Sequence, residues 1–161
     1  MRLFSLLLLA SIFYLTSCTK EKIVETIKEV EKIVYLPTPG VNKDSVLTTN
    51  TLKIEEMRFL QGNTQYYYKR GAVGNTANFD TESIKFNANG TGTYIAGGIN
   101  YSITWIWTNT AKTKLEYIIS YSPGLVVIWD QLQFTNNTLA YAEHYNRNNS
   151  QSMGYAVRKH Y

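Results

Sequence analysis

ESIKFNANGTGTYIA, residues 82–96, is the stretch that decides the fold of this chain. Glu82 to Asn87 and Thr91 to Ala96 are short runs rich in Ile, Phe, Thr and Tyr, with Asn89-Gly90 between them. An Asn-Gly pair in that setting is a strong hairpin signal, because both residues accept the positive φ that a tight turn demands. The same pattern continues outward. Asn100 to Thr108 alternates, with Ile103, Trp105 and Trp107 on one face and Ser102 and Thr104 on the other, as a half-buried strand does. Lys114 to Tyr121, Leu125 to Phe134, Thr138 to Tyr145 and Met153 to His160 follow. Ser122-Pro123-Gly124, Asn136-Asn137 and the polar run Asn146 to Ser150 separate them. Upstream, Gln65 to Arg70 begins the strands. Leu52 to Leu60 reads as a helical turn or two, since Ile54, Met57 and Leu60 fall on one helical face.

About eight strands with short turns leave no helix long enough for a parallel crossover, so neighbours in sequence pair directly. The expectation is an all-β domain: an antiparallel up-and-down barrel, in which closure removes the exposed edges. A β-sandwich is the alternative.

The order of these segments resembles a family. Phe86-Asn87-Ala88-Asn89-Gly90-Thr91-Gly92-Thr93-Tyr94 is similar to the F-x-x-N/D-G-T-G-x-Y hairpin of lipocalin-like domains in secreted bacterial lipoproteins. Thr104-Trp105 with Leu115-Glu116-Tyr117-Ile118 resembles the W…L-x-I strand pair of that family, and Leu132 to Leu139 its late turn. The resemblance spans roughly residues 55–160 and implies a calycin-type barrel with a small apolar or aromatic ligand inside. One departure is plain. The family opens its first strand with Gly-x-Trp, whereas Gly62-Asn63-Thr64 puts threonine at the tryptophan position, so the floor is expected to be packed by Phe59 or Tyr66 instead.

The N-terminus gives an address. Arg2 precedes the apolar run Leu3 to Leu15, and the only cysteine, Cys18, closes Leu15-Thr16-Ser17-Cys18. The run is a signal peptide by its length and flanks; a membrane-spanning helix needs roughly 20 residues. Its end resembles a lipobox, which implies cleavage before Cys18, lipidation of that thiol and a membrane anchor. No aspartate follows Cys18, which favours the outer membrane over inner-membrane retention, on the periplasmic or the surface face. Residues 1–17 are thus read as the signal and residues 18–36 as the lipidated start of a charged stalk. In that stalk Ile23, Ile27, Val30 and Val34 repeat at spacings of 4, 3 and 4, the a/d seam of a short coiled coil. The stalk is either a flexible spacer or a short self-associating helix. Pro37-Thr38-Pro39-Gly40 stops it, residues 37–50 form a polar linker, and the barrel domain occupies residues 51–161.

Composition narrows the function classes. The formal charge of +4 over 161 residues is scattered as single residues or pairs such as Lys69-Arg70 and Arg158-Lys159. Nucleic-acid binding calls for a clustered basic face, and no nucleic-acid partner is expected. His144 and His160 stand in no metal-ligand spacing, and no nucleophile motif or phosphate loop is present. Neither enzyme activity nor a cofactor is expected. Asp80, Glu82, Glu116, Asp130 and Glu143 are spread through the strands with no pair singled out. The aromatic residues are the lead: Trp105, Trp107, Trp129, Tyr94, Tyr117 and Tyr141 are the candidate ligand-binding set, because rings offer large contact area with few rotors. The competing reading is that they fill a small barrel, and that the domain is a non-catalytic surface interaction protein.

Overall fold

The structure, a computed structural model, describes residues 36–146 and 154–161. Cys18, the apolar leader and all of the charged stalk except Leu36 lie outside the described residues. A short helix, α1 (Lys43–Thr48), precedes nine strands: β1 (Leu52–Gln61), β2 (Thr64–Lys69), β3 (Ser83–Phe86), β4 (Thr91–Ala96), β5 (Ile99–Trp107), β6 (Leu115–Ile119), β7 (Val126–Phe134), β8 (Thr138–Tyr145) and β9 (Gly154–His160). All pairings are antiparallel. β3 to β9 follow one another in order, and β1 closes the ring by pairing with β9 from Leu52/His160 to Phe59/Gly154 and with β3 at Leu52/Ile84. The result is a closed eight-stranded antiparallel barrel with one extra strand, β2, continuing beyond β3 along the same edge of β1. Closure disposes of the sandwich alternative.

The hairpin at Asn89-Gly90 forms, but of the pair only Gly90 takes positive φ, and Gly90 N–H donates to Asn87 O at 3.1 Å. Asn87 N–H donates to Thr91 O at 2.8 Å, and Gly90 adopts φ +82°. Gly92, just past the turn, lies so close to its neighbours that a Cβ there would stand 2.2 Å from Lys85 O and 2.9 Å from the Ile103 side chain. Trp105 Nε1 donates to Asn87 O (3.0 Å) and Thr91 O (3.1 Å), locking the hairpin to β5.

Two expectations need correction. Leu52 to Leu60 is a strand, not helical turns. The pairing of β1 with β9 shifts register between Ile54 and Glu56, a bulge that absorbs one residue. Leu52 and Ile54 therefore point inward before it and Met57 after it, so a three-residue apolar spacing arises in extended chain. Residues 43–48, read as linker, form α1. Asn42 Oδ1 accepts from Ser45 N–H (3.1 Å) as its N-cap, and Val46 and Leu47 enter the core. Six residues make no stable helix alone; packing holds this one. Trp107 Nε1 donates to Asp44 Oδ1 (2.9 Å), Lys43 Nζ to Ala111 O (2.6 Å) and His160 Nε2 to Val46 O (2.6 Å).

The two ends of the barrel differ as a result. α1, the β3–β4 and β7–β8 turns, the β5–β6 loop and the C-terminus share one end, and α1 plugs it. The β1–β2, β4–β5 and β6–β7 turns share the other.

Candidate functional site

Alternation along the strands sends one side chain in two into the barrel. From the plugged end the interior is solid aromatic. Phe86 is fully buried, with edge contacts to Trp105 (5.3 Å between centroids), Tyr117 (6.0 Å) and Trp129 (5.3 Å), and Trp105 meets Trp107 at 5.7 Å. Trp129 on β7 stacks on Tyr141 of the adjacent β8 at 4.0 Å and 22°, and this pair marks the waist of the barrel. Beyond the waist the filling stops. A cavity of about 460 Å3 opens towards the other end, lined by Phe59, Phe79, Tyr94, Tyr117, Tyr121 and Tyr145 with Met57, Leu60, Ile119, Leu125 and Val127. Glu82, Glu143 and Arg158 are its charged members.

The loop between β2 and β3 brings two of these walls into place. Tyr68, fully buried, donates from its hydroxyl to Asp80 Oδ1 at 2.7 Å, and Arg70 Nε donates to Ile54 O at 2.9 Å. With the loop so tied, Phe79 sets its ring edge against Tyr68 (5.4 Å) and Phe59 (5.8 Å), and Glu82 enters the barrel just before β3. Phe59 in turn stacks on Tyr66 at 5.0 Å. These two residues, expected at the floor, stand instead at the open end, and the floor is made by the tryptophans and α1.

Arg158 is held at the waist on β9, where Gly154 and Ala156 precede it on the same face. Only 2% of it is exposed. Its Nη2 donates to Glu82 Oε1 at 2.6 Å and its Nε to Tyr141 Oη at 2.7 Å, while the guanidinium lies 5.2 Å from the Trp129 ring centre. Among the described residues Nη1 has no hydrogen-bond partner, and it is buried. Its remaining contact is the cation–π interaction of the guanidinium with the indole.

Glu143, two residues beyond Tyr141 on β8, is the second buried charge. Its Oε2 accepts from Trp129 Nε1 (3.1 Å) and its Oε1 from Tyr145 Oη (2.7 Å). Among the described residues no cation forms an ion pair with it. Burial pushes its carboxyl above the ordinary glutamate range; the Tyr145 hydrogen bond, the charge of Arg158 and the Trp129 hydrogen bond oppose this without cancelling it. The neighbouring hydroxyls respond in the same sense. Tyr145 is raised first by the Glu143 charge and then by burial, while Tyr94, Tyr117 and Tyr141 are raised chiefly by burial. All four shifts favour the neutral phenol over the phenolate.

Of the candidate set, Tyr94 and Tyr117 line the cavity. Trp129 and Tyr141 lie beneath it as the waist, and Trp105 and Trp107 belong to the plugged end, their indole N–H groups spent on Asn87 O, Thr91 O and Asp44. Glu82, Glu143 and Arg158 were not singled out by sequence. The available signal was parity, since Arg158 follows Gly154 and Ala156, and Glu143 lies between Tyr141 and Tyr145 at inward positions. Among the described residues no group of His, Cys, Asp and Glu could hold a metal ion, and no helix is long and apolar enough to cross a membrane. No protein-family model, curated protein or solved structure matches the chain.

Proposed function

We propose that the chain is a lipid-anchored envelope protein whose barrel binds a small, ring-bearing organic ligand at its open end. The observation that carries this reading is the cavity of about 460 Å3 above the Trp129–Tyr141 waist. Its size lies within the range of small-molecule sites, about 300–1,000 Å3, and its walls combine aromatic and apolar side chains with a few fixed polar groups, the usual composition of such sites. A barrel serving only as a solid display surface has no use for such a space. The leader and Cys18 supply the anchor, the stalk and the Pro37–Gly40 segment the spacer, and the outer membrane is the proposed address.

Native mass spectrometry of the mature protein, extracted in detergent from the envelope of its own host, tests the reading. A co-purified small molecule released on denaturation supports it. A clean apo mass, together with no ligand-induced rise in melting temperature across a metabolite set, speaks for the interaction-protein alternative. The anchor is tested separately: Cys18→Ser should remove the lipid mass and move the chain from the membrane fraction to the soluble one.

A further inference from the structure

Two carboxylates face one guanidinium in this cavity, and the guanidinium is already committed. Arg158 and Glu82 form a 2.6 Å ion pair, and the Nε of Arg158 is spent on Tyr141. Those two residues together contribute no net charge. Glu143 is left with two neutral donors, Trp129 Nε1 and Tyr145 Oη, although a carboxylate offers about four acceptor positions. An ionised carboxyl that is 5% exposed and, among the described residues, has no ion-pair partner of its own is costly to keep.

We propose that the ligand of this cavity is an organic cation, a protonated amine on an aromatic or apolar body, with its ammonium group seated at Glu143. The inference rests on the ligand-binding reading above and assigns the chemistry of that ligand. An ammonium group supplies the missing ion pair through a charge-assisted hydrogen bond to the carboxylate. Tyr94, Tyr117 and Phe79 line the same cavity, and aromatic faces attract a desolvated cation further. An anionic ligand meets the opposite conditions. It would face Glu82 and Glu143 together, and Nη1 of Arg158, without a hydrogen-bond partner among the described residues, is buried beside the Trp129 ring.

The test is isothermal titration of the mature full-length protein with three probes of matched shape: 2-phenylethylamine, 2-phenylethanol and 3-phenylpropanoate. The amine is expected to bind at least about tenfold more tightly than the alcohol, the gain of one charge-assisted hydrogen bond, and the acid most weakly. In Glu143→Gln the preference of amine over alcohol should fall to near unity. Should that variant fail to fold by circular dichroism, the affinity order of the wild type decides alone. Alcohol or acid binding as tightly as the amine overturns the cation assignment and leaves the ligand-binding reading standing. No heat from any of the three, combined with an apo native mass, overturns both.

Discussion

At the plugged end the rings of Phe86, Trp105, Trp107 and Trp129 touch one another, whereas at the open end those of Tyr94, Tyr117, Tyr121 and Tyr145 stand around a cavity. Alternate strands supply the two sets: β3, β5 and β7 carry the first, and β4, β6, β8 and the β6–β7 turn carry the second. What differs is the polar handle. An indole has one N–H to satisfy, and here each finds a fixed acceptor inside the protein: Asn87 O and Thr91 O, Asp44, Glu143. A tyrosine carries its hydroxyl at the far tip of the ring, so it packs its body against the wall and leaves a polar group to face a space. One end is thereby built for stability. The other holds a buried ion pair and a second buried carboxyl, neither of which is an efficient way to stabilise a fold. Such an arrangement makes sense where it serves recognition.

The largest effect should come from emptying the solid end. Phe86→Ala removes a fully buried ring with three aromatic neighbours and leaves a cavity at the centre of the packing. The expected loss is about 3–5 kcal/mol, read from urea unfolding with an unchanged m-value. A loss below about 1 kcal/mol would show that the aromatic plug does not carry the fold.

Next comes the waist. Arg158→Met deprives Glu82 of its cation and Tyr141 of its donor, while Met keeps much of the volume beside Trp129. Breaking one side of a buried pair costs about 3–5 kcal/mol, towards the lower figure here because Glu82 retains some solvent. Arg158→Met combined with Glu82→Gln should recover a large part of that loss. A double-mutant cycle with no coupling would detach the ion pair from the architecture of the open end.

Much of the solid end was legible from sequence because it is local. Asn89-Gly90 specifies its own turn, and the inward alternation Ile103, Trp105, Trp107 follows from the strand period. A bulge is what blurred β1, whereas β7 was legible as a strand despite its own. β1 shifts phase between Ile54 and Glu56, and β7 between Asp130 and Gln133, where Gln131 takes φ +55°. In both strands buried residues three apart replace strict alternation and imitate a helix. α1 was illegible for a different reason, since KDSVLT has little intrinsic helical tendency and is held by Trp107, Ala111 and His160. The charged site was the least readable part. Glu82, Glu143 and Arg158 lie on the lead into β3, on β8 and on β9, and closure of the ring through β1 brings Glu82 to the other two. Parity alone says inward; it does not say next to what.

The two ends should also respond to pH with opposite signs. Glu143, at the open end, has its native pKa raised by burial, so the folded state holds a proton that the unfolded state gives up. Its contribution is lost as pH rises from the ordinary glutamate range through the higher native value. Thermal melts of the unliganded protein over that window should fall with pH, and Glu143→Gln should flatten the slope and raise the midpoint at neutral pH. A slope unchanged in Glu143→Gln would assign the titration elsewhere.

The smallest effect belongs to Asp44 on α1. Its carboxyl is held below the ordinary range, first by the hydrogen bond from Lys112 and further by that from Trp107 Nε1, with partial burial opposing them. The sign is therefore reversed: Asp44 contributes stability above the ordinary aspartate range and loses it as pH falls through the depressed native value. Half the side chain is exposed, so solvent screens the pair and the contribution is small. Asp44→Asn keeps an acceptor for Trp107 while removing the charge, and should reduce the acid-side loss of stability slightly without touching the slope governed by Glu143. If it altered both, the plug and the cavity would be one coupled network, and the division of the barrel into a packed end and a receiving end would have to be given up.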